Sequence, residues 1–375
     1  MAKNQALRLT AFKLTNFKNY AFQPIDCDTA LTCFIGANGM GKTNLLDAIY
    51  YLCMGKSYFN TPDRLIARHE TDFFRLEGHF ERAGQPEHIV AKVIPRKKKE
   101  LERNRVPYPR LSEHVGLLPV VMIAPDDTYL VSEGSEARRR FVDNTLSQLG
   151  PNYLNQLILY NKVLQQRNAL LKQFGENRSY NPAMVEVYNQ QLLAPAQTLH
   201  EARAQFIERF SPILQEAYRR ISGAAEPVNC TYRSKLSDAP LEELLQATAE
   251  KDRVLQRTTA GPHKDDLIFS IGDYPLKRFA SQGQLKSFVL AMKLAQYQLL
   301  SEEKSTMPIL LLDDIFDKLD RQRVSHLLRL LQEQTFGQVF VTDTEADRLA
   351  GIIRQTAQAF KVYQIQDGEA HLKQS

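Results

Sequence analysis

The sequence predicts a mixed α/β nucleotide-binding fold interrupted by an inserted helical lobe, and three stretches carry that expectation. GANGMGKT, residues 36–43, is a complete phosphate-binding loop between an apolar run and a helical pattern. ILLLDD, residues 309–314, is an unbroken apolar run ending in two carboxylates, as a buried parallel strand opposite such a loop would be. From about Tyr153 to Ser222 the texture changes to Gln- and Leu-rich helix. The chain therefore reads as 1–145 and 223–375 for the two parts of a nucleotide-binding head, with 146–222 as the helical arm.

The loop fits Gly-x-x-x-x-Gly-Lys-Thr, with Gly36, Gly41, Lys42 and Thr43 in register and Ala37, Asn38, Gly39 and Met40 between them. Its glycines leave room for backbone N–H groups to wrap a β-phosphate. Lys42 can reach the β- and γ-phosphates, and the Thr43 hydroxyl can hold Mg²⁺. Upstream, Leu31 to Ile35 reads as a buried strand; downstream, Leu45, Leu46, Ile49 and Leu52 recur at helical spacing. A glycine turn beside a surface lysine is the bland alternative, and it explains none of this context.

At 375 residues the chain exceeds the usual single-domain size, so two lobes or an insertion are expected. A net charge of +5 from 48 basic and 43 acidic residues permits a polyanionic partner without demanding one. Cys27, Cys33, Cys53 and Cys230 show neither Cys-x-x-Cys pairing nor histidines at zinc spacing, and they read as buried thiols in a reducing compartment. MAKNQALRLT lacks the apolar region of a signal peptide, and no run of about 18 apolar residues occurs. A cytoplasmic location with no membrane partner is the expectation.

In chain order, LRLTAFKL and ALTCFI read as two strands joined by NFKNYAFQPIDCD, a polar and aromatic connection containing Pro24. FRLEGHFE and HIVAKVI alternate as a hairpin about AGQPE. RKKKELERNR then places Arg96, Lys97, Lys98, Lys99, Arg103 and Arg105 in the densest basic run of the chain, which is either a solvated hairpin tip or a phosphate contact. LLPVVMIAP is a further strand candidate; after it come Asp126 and Asp127, and Arg138, Arg139 and Arg140 fall at a helix start, where local acids or a ligand could pair with them.

Leu157, Leu164 and Leu171, then Val185, Leu192, Leu199, Phe206 and Ile213, mark two helical arms reversed at GENRSYNP and packed antiparallel. Pro195 and Pro212 are expected to kink or interrupt the second arm, because each removes a helical hydrogen bond. Beyond Gly223 strands and loops return with TTAGPHKDDLIFSI, where His263, Asp265 and Asp266 are either an acid–base or metal group or ordinary structure.

The second half of a nucleotide site is legible downstream. Asp313 stands where it can bind the Mg²⁺ shell, and Asp314 where it can orient or deprotonate an attacking water. Ser281, Gln282, Gly283 and Gln284 directly precede a helix whose apolar face is Leu285, Phe288, Val289, Met292 and Leu299; free N–H groups at such a helix start suit an anion, although Ser-x-Gly also caps ordinary helices. DKLD, residues 317–320, follows the carboxylate strand, and QVFVTDT, residues 338–344, reads as another strand ending in polar residues.

Together these segments resemble the ABC-type ATPase head. LTNFKNY, GANGMGKTNLLDAIYYL, VLQQRNALLK, GPHKDDL, FASQGQLKSFVLAMKLA and LLLDDIFDKLD further stand in the order and approximate spacing of the RecF family of recombination mediators, over nearly the whole chain. The resemblance implies that Ser281 to Gln284 complete the site of an opposite subunit, so that ATP forms part of a homodimer interface. It also implies a weak, DNA-dependent ATPase acting in DNA repair and replication. Such a protein binds duplex DNA and double-strand to single-strand junctions, and works with RecR and RecO to help load RecA. Departures from the family pattern are Met40 in place of a smaller residue and Lys18 where arginine is common.

Asp314, one methylene shorter than the glutamate of transporter heads, is expected to give slow turnover. Two rival readings are a membrane transporter's ATPase head and an SMC-like tether. The SQGQ variant and the basic run stand against the first. An arm of roughly 35 residues per helix spans only about 50 Å, which disfavours the second.

Overall fold

The computed structural model describes residues 6–223, 226–315, 336–345 and 359–374. Strands β1 (Leu7–Phe17), β2 (Tyr20–Asp26) and β3 (Leu31–Ile35) lead into helix α1 (Lys42–Met54) and the single turn α2 (Asp63–Ile66). β4 (Phe74–Arg82), β5 (Gln85–Ile94), β6 (Lys98–Arg103), β7 (Val106–Pro107) and β8 (Val120–Ile123) follow. Four helices come next: α3 (Tyr129–Ser132), α4 (Ser135–Leu149), α5 (Pro151–Glu176) and α6 (Pro182–Ser222). Then come β9 (Val228–Arg233), α7 (Leu241–Ala247), α8 (Ala249–Leu255), β10 (Asp266–Ile271), β11 (Tyr274–Pro275), α9 (Leu276–Phe279) and α10 (Gln282–Lys304). The last described strands are β12 (Ile309–Leu312), β13 (Val339–Asp343), β14 (Phe360–Gln366) and β15 (Glu369–Gln374).

Two compact units result: Met1–Asp127 with Ala217–Gly223 and Lys286–Ser375, and Thr128–Glu216 with Ala224–Leu285. Within the second unit, ion pairs tie α4 and the stretch after the arm to α6 and to one another. Arg203 of α6 bonds Asp143 of α4 at 2.9 Å and Asp265, just before β10, at 3.1 Å. Arg138 of α4 grips Asp266 with donors at 2.7 and 3.2 Å.

Among the described residues the first unit holds two six-stranded sheets. One is antiparallel in the order β2-β1-β4-β5-β6-β7; the other runs β15-β14-β3-β13-β12-β8 and is parallel except for β15. Every residue of β3, β8, β12 and β13 is buried, as expected of parallel strands covered on both faces, and the polar Thr342 and Asp343 of β13 fall at its end. The core of this unit draws Leu9 and Phe12 of β1, Leu45 and Ile49 of α1, Leu76 of β4, Leu311 of β12 and Phe340 of β13 into one cluster. α1 is buried on nearly all sides, beyond the single apolar face its sequence advertises.

The connection after β1 is itself a strand. β2 takes Pro24 without losing the sheet because it lies at the edge, where a missing N–H costs no ladder bond. The hairpin expected within 73–95 forms as β4 and β5, and it turns through Ala83 and Gly84, both at positive φ, as the twist of paired strands favours.

In the second unit α5 and α6 reverse at residues 177–181, with Leu170, Leu171 and Val185 packed together near the turn. α6 runs through Pro195 and Pro212 as one helix, so of the expected kink or interruption the interruption does not occur. Leu192, Ala196, Leu199, Phe206, Phe210 and Leu214 are all buried along it. Several such side chains, at about 1.5–3 kcal/mol each, outweigh a proline penalty of about 3 kcal/mol. The DKLD stretch at 317–320 lies outside the described residues.

Candidate functional site

β3 ends at Ile35, and the chain turns at once into the loop. A Cβ on Gly36 would lie 2.4 Å from the Ile365 carbonyl oxygen, and Gly41 has a φ of 109°, so glycine is demanded at both positions. Bracing comes from remote sequence. The Asn19 side chain donates to the Met40 carbonyl at 3.0 Å and accepts from Asn44 at 2.8 Å, while the Tyr20 hydroxyl donates to the Gly41 carbonyl at 3.2 Å. Gly368, in the turn between β14 and β15, donates its N–H to the Met40 carbonyl at 3.4 Å. Sequence reasoning assigned none of these three residues; the Asp367-Gly368 pair between two alternating stretches was the available signal for the turn.

Lys42 is buried, and its ammonium donates to the carbonyls of Gly36 at 2.8 Å and Ala37 at 3.2 Å, with Asn38 Oδ1 at 3.5 Å and Asp314 Oδ2 at 3.8 Å. The Thr43 hydroxyl reaches the two Asp313 carboxylate oxygens at 2.9 and 3.0 Å. Thr342, on the strand between β3 and β12, donates its hydroxyl to Asp313 at 2.8 Å and accepts the Asp314 N–H at 2.8 Å. Asp314 sits at a φ of 42°, a left-handed conformation that costs a non-glycine residue roughly 1 kcal/mol or more. Loop lysine, hydroxyl and both carboxylates thus converge.

Burial pushes the Asp313 carboxyl up to about 6, against the lowering by bonds from Thr342 and Thr43; the Asp314 charge pushes the same way as burial and Lys42 opposes it. Asp314 Oδ1 is buried, and among the described residues it has no hydrogen-bond partner. A hydroxyl beside two carboxylates is a set of hard oxygen donors of the kind Mg²⁺ takes. A buried acceptor lacking a partner and a carboxyl raised by burial are what a nearby cation would relieve. The residues fit a magnesium nucleotide.

Ser281 and Gln284 form a reciprocal capping box at the start of α10. The Ser281 N–H donates to Gln284 Oε1 at 2.8 Å, and the Gln284 N–H donates to Ser281 Oγ at 3.2 Å. The Gln284 amide also donates to Glu226 at 3.0 Å. Gln282 opens α10, and Gly283 follows within its first turn. All four belong to the second unit, whereas the loop, Asp313 and Asp314 belong to the first.

The basic run does not form one patch. Arg96 and Lys97 lie at the turn before β6, and Arg105 lies beyond its other end, separated by six strand residues, or about 20 Å at about 3.3 Å per residue. Lys98 pairs with Glu100 at 2.9 Å, Lys99 with Asp63 at 3.1 Å, and Arg103 with Glu87 at 2.7 Å. Arg138 is held by Asp266 and Arg140 by Glu136. Lys18 forms an ion pair with the buried Asp47 at 2.7 Å. Asp127 is enclosed by the Ala124 N–H at 2.7 Å, the Tyr58 hydroxyl and Lys293 at 3.4 Å, while Asp126 is exposed. All four cysteines are buried, and burial holds each thiol above its ordinary range. No helix among the described residues is long and apolar enough to cross a membrane.

The model for the RecF/RecN/SMC N terminal domain matches residues 8–371. The DNA replication and repair protein RecF of Flavobacterium johnsoniae is 43% identical over 359 residues, covering 96% of this chain and 100% of that one. Its counterpart in Phocaeicola vulgatus is 41% identical, covering 96% and 97%. Among solved structures, the recombination mediator protein RecF with ATP in the RecFOR pathway aligns with a TM-score of 0.89 at 25% identity, over 98% of each chain. An Smc head bound to the C-winged helix domain of ScpA shares the fold, with a TM-score of 0.57 at 16% identity over 97% and 96%.

Proposed function

This chain belongs to the RecF/RecN/SMC family, and from that premise we propose that it is an ATP-dependent recombination mediator of DNA replication and repair. The observation that carries the reading is the convergence of Lys42, Thr43, Asp313 and Asp314, with a buried carboxylate oxygen of Asp314 left unpaired. Gly36 to Thr43 cradle the ATP phosphates through backbone N–H groups, and Lys42 exchanges its loop carbonyls for phosphate oxygens. Thr43 and Asp313 hold Mg²⁺, which when bound neutralises phosphate charge. Asp314 orients the attacking water and accepts its proton.

The second wall of the pocket comes from another copy of the chain. The Ser281 hydroxyl accepts from Gln284, and its own hydrogen has no acceptor among the described residues, which leaves it available to a phosphate oxygen. Gln282, Gly283 and Gln284 form the rest of that wall. ATP therefore joins a homodimer, slow hydrolysis separates it, and the joined pair engages duplex DNA near single-strand junctions. Its pathway partners are RecR, RecO and RecA, and its location is cytoplasmic. Of the hairpin cations, Arg96, Lys97 and Arg105 remain available to phosphate, whereas Lys98, Lys99 and Arg103 serve the fold.

Sedimentation and DNA-binding titrations with and without magnesium ATP test the reading. ATP should convert monomer to dimer and strengthen duplex binding, and Lys42→Ala should abolish both responses. A dimer and a DNA affinity indifferent to nucleotide would count against it.

A further inference from the structure

The turn Gly261–Leu267 is heavily braced, and the proposed function uses none of it. Gly261 adopts a φ of 122°, and a Cβ there would lie 2.6 Å from the Tyr160 hydroxyl. His263 bridges inward, accepting from the Tyr160 hydroxyl at 2.6 Å and donating to the Thr258 carbonyl at 3.0 Å. Burial pushes its imidazole down to about 4, so near neutral pH the ring is uncharged. Asp265 is buried against Arg203 and Tyr232. Between these two inward residues stands exposed Lys264. No acid pairs with it among the described residues.

Its surroundings are cationic in excess. Arg139 donates to the Asp265 carbonyl at 2.6 Å and the Ser135 hydroxyl at 2.7 Å, two neutral acceptors; burial and then the charge of Arg203 hold its guanidinium below the ordinary range, with Asp143, Asp265 and Asp266 opposing. Arg257 and Lys251 are exposed close by; the Arg257 N–H bonds the Asp252 carbonyl at 3.1 Å. The acids of the neighbourhood are already engaged: Asp143 and Asp265 by Arg203, Asp266 by Arg138, and Asp252 by the buried Arg167 at 2.8 Å. Burial first, then the charges of Arg257, Arg139 and Lys251, holds the Lys264 ammonium below its ordinary range, with Asp252 opposing. These like charges repel one another, and a bound polyanion would relieve the repulsion.

We propose that Lys264, Arg257, Arg139 and Lys251 form a phosphate-binding surface that takes the backbone of duplex DNA. The proposal rests on the reading of the protein as a DNA-binding ATPase and places a principal contact in the second unit. The rigid turn supplies a fixed position for Lys264, and counterion release on contact with a phosphodiester backbone rewards several cations whose neighbouring acids are already paired with other arginines.

Fluorescence anisotropy of a labelled blunt duplex, with magnesium ATP across a salt series, tests it. Lys264→Ala combined with Arg257→Ala should weaken binding at least about tenfold and make the slope of log affinity against log salt shallower by about 2. Lys264→Arg should keep the wild-type slope. Nucleotide affinity and ATP-dependent sedimentation of the double variant should match the wild type, which shows that its fold is intact. A double variant that binds duplex with wild-type affinity and slope overturns the assignment and leaves the surface to an acidic protein partner. A wild type that binds no duplex under any nucleotide condition overturns the DNA reading itself.

Discussion

Gly36–Thr43 and Gly261–Leu267 are both glycine-led turns crowded with polar side chains, yet outside Lys264, unpaired among the described residues, their polar side chains end in opposite states. Around the second, buried Asp265 and the half-buried His263 and Asp266 each have charged or hydrogen-bonding partners within the same unit. Around the first, Lys42 rests on the loop's own carbonyls, Asp313 is pushed up to about 6, and Asp314 Oδ1 has no partner among the described residues. A ligand site is marked by polar capacity left unspent; a fully satisfied cluster marks a scaffold.

The contrast can be broken or sharpened at four points. Arg203→Ala would strand Asp143 and Asp265, and urea unfolding should show a loss of about 3–5 kcal/mol; a loss under about 1 kcal/mol would deny the turn its scaffold role. Lys42→Ala should weaken nucleotide binding by roughly 100-fold, about 2–3 kcal/mol, while its unfolding midpoint stays near the wild type. A comparable loss of stability would make the loop lysine a fold residue.

The third point is pH. Folding raises the Asp313 pKa from 3.8 to about 6, so the folded state holds a proton that the unfolded state has released between those values. Stability should therefore fall as pH rises from about 4 to about 6, by about 1–2 kcal/mol, and Asp313→Asn should remove that slope. Identical pH profiles for wild type and variant would mean that burial does not strain this carboxyl. The smallest effect belongs to the hairpin: Arg96→Ala with Lys97→Ala should lower duplex affinity less than about threefold. A tenfold loss would shift the main contact from the Lys264 surface to the β5–β6 turn.

The parallel sheet was legible because β3 and β12 are largely apolar runs and β13 opens on one before its polar end, and the loop because each of its residue types has a task. Other features were hidden for physical reasons. β2 carries Pro24, whose tolerance depends on an edge position that only the pairing reveals. The two prolines of α6 are overruled by buried neighbours in the folded state. The run 96–105 is contiguous in sequence but divided in space, because an extended strand carries its ends apart. The supports of the loop, Asn19 and Gly368, come from far along the chain, and local pattern records no such contact. The Ser-x-x-Gln spacing of the capping box was readable, but whether the Ser281 hydroxyl serves a neighbour's nucleotide is not a local property.

Mixing two disabled variants tests the shared pocket most directly. Lys42→Ala retains a serine wall without a working loop, and Ser281→Arg retains the loop without the wall, so neither should pair with itself when magnesium ATP is added. Sedimentation of the mixture should recover a dimer carrying a single nucleotide. Self-pairing of Ser281→Arg at the wild-type ATP dependence, or no dimer in the mixture, would contradict a pocket built from two copies.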